Sequence, residues 1–175
     1  MAVTTDILRT WRGPRAVMHD LLSAGPREDR ALAFVMGSCF LMFLAQLPLL
    51  ARLATLSAEA AELDPTHLAL DQGQLFGTAF VSWLMIAPLA LYGVAWLTYL
   101  VLRAFRVRVS GYVVRLALFW SFLAATPLAL LLGLLQGING PGPGTQLIGG
   151  LWIAAFLFFL IQSIREALSA PGLQS

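Results

Sequence analysis

Lysine is missing altogether from this chain: all eleven basic residues are arginine. A GC-rich coding composition is the plainest source of that gap. The planar guanidinium fork nevertheless suits lipid phosphates. The nine carboxylates leave a formal charge of only +2, with no basic cluster interleaved with aromatics, so no nucleic-acid partner is expected. Cysteine occurs once, as Cys39 in an apolar run, which excludes an internal disulfide or a cysteine metal cage. It reads as a small buried hydrophobe. Charged residues make up 11% of the chain, against about 25% in soluble domains, and hydrophobic residues make up 59%. A soluble fold of that composition could not cover its own surface.

Four runs are long and apolar enough to cross a bilayer core, which takes about 20 helical residues. They are Ala31–Leu50, Leu75–Leu102, Val113–Gln136 and Leu147–Ile164. The expected fold is all-α and polytopic, with an amphipathic helical segment over residues 1–25. The four-span domain covers residues 26–168, and a short tail follows at 169–175. The first run is too long, and too far from the start, for a secretory signal, so it reads as an uncleaved span.

The interior of these runs holds no acid, base or histidine; Arg115, near the start of the third, can snorkel to the headgroups. Proton relays, ion-coupled carriers and voltage sensors are built on such residues. Ser82, Ser121 and Thr126 have no histidine or lysine at their depth to activate them. The chain is therefore expected to be non-enzymatic, with no cofactor. Asp64, His67 and Asp71 share a helical spacing that a metal could use, but an exposed acidic loop reads more simply as a solvated face, and no metal is expected. The glycine-rich stretch 137–150 lacks the preceding strand and the lysine of a phosphate loop and reads as a tight turn.

Arginine sorts by connection. Arg9, Arg12, Arg15, Arg27, Arg30, Arg103, Arg106, Arg108, Arg115 and Arg165 fall on one side of a four-span chain; Arg52 alone falls on the other. The positive-inside rule then places both termini and the middle connection in the cytoplasm, with the bacterial inner membrane as the expected location.

Before the first span, Ile7, Trp11, Met18 and Leu22 recur at helical spacing among arginines. Gly13-Pro14 breaks the pattern into two short helices, Asp6–Arg12 and Pro14–Ala24. Gly25 can close the second and Pro26 open the first span. Trp11, Arg12 and Arg15, with Arg106 and Arg108 of the middle connection, are the candidate contacts for the membrane surface or a protein partner. The helices can lie on anionic lipid, pack on the bundle's cytoplasmic face, or do both; lipid bilayer and a protein partner are the expected contacts, and a homo-oligomer is compatible. Trp11 also fits an aromatic belt, along with Tyr92, Trp96, Tyr99 and Tyr112. Pro48, Pro88 and Pro127 are candidate helix kinks. Small residues near them (Ser82, Ala87, Gly93, Ala124, Ala125, Thr126, Gly133) are expected to let the second and third spans pack closely. Asp64-Pro65 reads as a helix start in the outer loop.

The opening ILRTWRGPRAVMHDLLSAGPREDRALAF and the stretch GYVVRLALFWSFLAATPLALLLGLL resemble bacterial members of the Yip-domain (Ypt-interacting protein) family of integral membrane proteins. The resemblance implies a multi-span layout with a cytoplasmic N-terminus. It also implies a scaffold or adaptor role, as eukaryotic members associate with Rab-type GTPases. Those members usually have five spans and an aspartate-leucine-tyrosine-glycine-proline word; this chain has four runs and lacks the word. No functional residue is carried over. The competing expectation is a small transport or channel-like component built around the prolines.

Reporter fusions at both ends and at residue 60 test the layout. The two ends should report the cytoplasm and residue 60 the opposite side; a periplasmic C-terminal signal would overturn the even number of spans.

Overall fold

The structure, a computed structural model, describes residues 3–64, 69–107 and 109–169. Every regular element among them is helical. Two short helices come first, α1 (Val3–Arg12) and α2 (Pro14–Ser23). Then follow α3 (Glu28–Leu63), α4 (Gln72–Val81), a π-helical turn (Ser82–Ile86), α5 (Ala87–Ala104), α6 (Gly111–Asn139) and α7 (Pro143–Ser169). The segment Gln72–Ala104 is one long helix interrupted by the π turn, so four helices are long and apolar enough to cross a membrane. The chain is an all-α, polytopic membrane protein.

Residues 116–126 of α6 are buried on every face. A helix that is apolar all round belongs inside. α3, α5 and α7 each pack on it, and their other faces expose Leu32, Phe40, Leu89, Leu97, Leu151 and Ile161, as lipid-facing surfaces should. Phe34 meets Trp120 and Tyr92 meets Phe119 in tilted and edge-on ring contacts 4.9 and 4.8 Å apart. Glu28 pairs with Arg115 near one end of α3 and α6, and Arg52 donates to the α6 carbonyls Gly137 and Ile138 at the other. The two helices therefore run parallel, as alternate spans must.

Lipid tails are as apolar as leucine, so burial alone does not hold spans together; close packing does. The closest approach is not the one the small residues near the prolines suggest. Gly133 and Gly137, four apart on one face of α6, lie against the backbone of Ala45 and against Pro48 of α3, where no side-chain carbon would fit. Gly93 meets nothing within 4 Å. Tight packing thus joins the first and third spans rather than the second and third: Gly73 and Gly77 of the second span have the same spacing, but no other helix closes on Gly77 as α3 closes on Gly133 and Gly137.

The prolines are accommodated individually. α3 continues through Pro48 and α6 through Pro127. Pro127 cannot donate to Leu123, and the Thr126 hydroxyl donates to that carbonyl instead, at 2.7 Å. The π turn directly precedes Pro88, where the missing donor already loosens the ladder.

Local expectations change at the helix ends. α3 runs on past the apolar segment to Leu63, with Asp64 as its C-cap, and the helix start expected at Asp64-Pro65 falls outside the described residues. His67 and Pro65 lie outside the described residues. Asp71 caps α4, accepting from the amides of Gly73 and Gln74. α3 begins at Glu28 rather than at Pro26, while Gly25 closes the preceding turn with φ +79°.

Gly133→Leu should lower the thermal stability of the detergent-solubilised protein by about 1–3 kcal/mol or more, because α3 must move outward. Gly93→Ala should leave it nearly unchanged.

Candidate functional site

α1 and α2 form a hairpin that turns at Gly13, whose amide donates to the Arg9 carbonyl at 2.8 Å. Pro14 fits the first turn of α2, where its missing N–H is not needed. The hairpin packs one face against the ends of α6 and α7 and leaves the other exposed. On α1, the buried Thr10 accepts from Trp120 Nε1 at 3.2 Å, and its own hydroxyl donates to the Asp6 carbonyl at 2.8 Å. Trp11 Nε1 donates to the Ala124 carbonyl at 3.1 Å, and its ring meets Phe159 edge-on at 5.2 Å. On α2, Arg15 Nε donates to Gln162 at 3.1 Å, and His19 Nδ1 lies 3.4 Å from Glu166. Val17, Met18 and Leu22 are buried.

These contacts fix the direction of both helices. Residues 10 and 11 meet residues 120 and 124 in order, so α1 runs along α6 into the bundle. Residues 15 and 19 meet residues 162 and 166, so α2 runs back out along α7. The structure packs one face of this segment on the bundle. Trp11 remains partly exposed while its indole N–H is tied to α6. Its indole N–H needs an acceptor away from water, and Ala124 offers one beside the Pro127 interruption.

At the wide end of the hairpin, Arg9 bridges Asp6 at 3.3 Å and Asp20 at 3.1 Å. Arg30 donates to the Leu21 and Gly25 carbonyls and to the Tyr112 hydroxyl, tying hairpin, α3 and α6 together. A cavity of about 420 Å³ lies between them, lined chiefly by Asp6, Val17, Leu21, Arg30, Phe34 and Trp120. The Arg27–Asp29 pair beside it, 2.9 Å apart, is exposed, and such pairs contribute little to stability.

The connection after α5 forms a second feature of this end. Arg106 has φ +60°, the left-handed region that glycine usually occupies after a helix. Its amide donates to Arg103, and the Val107 amide reaches back to Leu102 at 3.0 Å, closing the helix in the manner of a Schellman cap. Arg108 lies outside the described residues. The sequence-selected residues thus fall in two places: Trp11, Arg12 and Arg15 on the hairpin, Arg106 on the turn. Thr10, Asp6 and Trp120 were not singled out. The only trace they leave in the sequence is a polar pair on the apolar side of an amphipathic stretch.

No family model, no curated protein and no solved structure matches this chain.

Thr10→Val should leave the buried Trp120 indole N–H without an acceptor and destabilise the docked hairpin by about 1–3 kcal/mol. Faster amide hydrogen exchange across residues 3–12, with α6 unaffected, is the expected reading.

Proposed function

We propose that the protein is a non-enzymatic scaffold or adaptor of Yip type in the bacterial inner membrane, with both termini cytoplasmic. The observation that carries this reading is the backbone of Arg106. A side chain in the left-handed region costs on the order of 1 kcal/mol relative to glycine. A charged side chain at such a position points to a use for the charge, since strain of this kind gathers at functional positions. The turn presents Arg106 next to Arg103, at the same end of the molecule as the hairpin. An acidic protein surface is the complementary partner. The ten-to-one partition of arginine supports the orientation, and the family resemblance of the opening segment supports the adaptor class.

Arg106→Gly separates fold from function in one substitution. It should raise stability by about 1 kcal/mol by relieving the backbone. It should also weaken, several-fold, the association with a stoichiometric partner isolated with the protein in mild detergent. Reversal to glutamate at Arg106 and Arg108 should weaken that association further. An association that survives both changes would remove the adaptor reading.

A further inference from the structure

The hairpin tip carries charge where a bilayer is dry. Trp11 lies against Ala124 and Phe159. At about 1.5 Å per residue, Ala124 is about 14 Å further into the bundle than Arg115, and Phe159 is about 9 Å further in than Arg165. The hydrocarbon of one leaflet is about 15 Å deep. Arg12 follows Trp11 at this level, where the chain turns, and its side chain is exposed. The surfaces around it are lipid-facing: Leu8 on the same face of α1 is 69% exposed, and Phe158 on α7 is 51% exposed.

The local carboxylates do not neutralise this charge. Asp6 and Asp20 are both engaged by Arg9, and Glu166 is beside His19. Arg15, also exposed, is bonded through Nε to the neutral Gln162. Arg12 has no ion pair among the described residues. Arg12 is therefore left at hydrocarbon depth without a carboxylate, and Arg15, whose partner Gln162 is about 5 Å further in than Arg165, stands above it nearer the headgroups.

We propose that Arg12 and Arg15 hold the phosphates of membrane phospholipids drawn below the headgroup plane, so that the leaflet thins beside the hairpin. The guanidinium fork matches phosphate oxygens and is always charged. Exposed apolar surface on both sides of the tip gives the acyl chains of those lipids a wall to follow. This depends on the spans and the hairpin, and not on which protein the Arg106 turn meets.

A nitroxide on Leu8→Cys, in a Cys39→Ala background, reads the local depth in vesicles of phosphatidylethanolamine and phosphatidylglycerol. With both arginines present, the label should collide with a water-soluble nickel chelate as a headgroup-level site does. With Arg12→Gln and Arg15→Gln together, it should become accessible to oxygen and not to nickel. Native mass spectrometry of the intact protein should show phosphatidylglycerol retained, about fivefold more weakly for each glutamine introduced, and kept by Arg12→Lys. Inorganic phosphate should not displace it. A label in the unsubstituted protein that oxygen reaches and nickel does not would overturn the proposal. So would protection from both reagents, as a second copy or a protein partner would give, or lipid retention indifferent to the glutamines.

Discussion

The contact between α6 and α3 sets the terms for the remaining helices. Gly133 and Gly137 let the two backbones meet without side chains between them. Once they are that close, the rest of α6 can be enclosed, and residues 116–126 are buried all round. Membrane spans gain little from burying apolar surface against one another. Shape has to do what the hydrophobic effect does in water, and a glycine pair four residues apart is the economical way to create a matching shape. Arg52 then fastens the far end by donating to the last carbonyls of α6, which are short of partners and carry the negative end of the helix dipole.

Enclosing α6 brings its polar groups out of reach of water and lipid headgroups, and the hairpin answers part of that demand. Trp120 in the core finds Thr10, and the Ala124 carbonyl finds Trp11. The same logic operates within α6, where Thr126 occupies the carbonyl left by Pro127. An unmade hydrogen bond costs most where nothing else can make it. The hairpin is thus part of the core, although its composition resembles that of a surface helix.

The four spans were legible because composition and run length alone decide them, and the two short helices because Gly13-Pro14 divides them. Their ends were less so: α3 continues to Leu63 since nothing in ATLSAEAAEL opposes a helix once one has formed. The site was legible only in its charges. Trp11 was read as interfacial because an indole at the edge of an arginine-rich segment has that profile. Nothing local reveals that its acceptor lies at Ala124. The Gly133–Gly137 pair carried a signal in its spacing, which the proline words nearby obscured. Arg106 was selected for its charge, but its left-handed backbone leaves no mark on residue type.

The hairpin is made first and secured last. Its own helices can form as soon as residues 3–23 exist, yet Arg15 bonds to Gln162, separated from it by 147 positions, and Trp11 meets Phe159 edge-on. α1 has partners on α6, but α2 finds its own only when the final span is in place beside α6. Full seating of the hairpin therefore requires the last span, and a chain stopped after α6 would leave α2 without its α7 partners. A segment that precedes all four spans in sequence thus acts as a clasp between the third and the last.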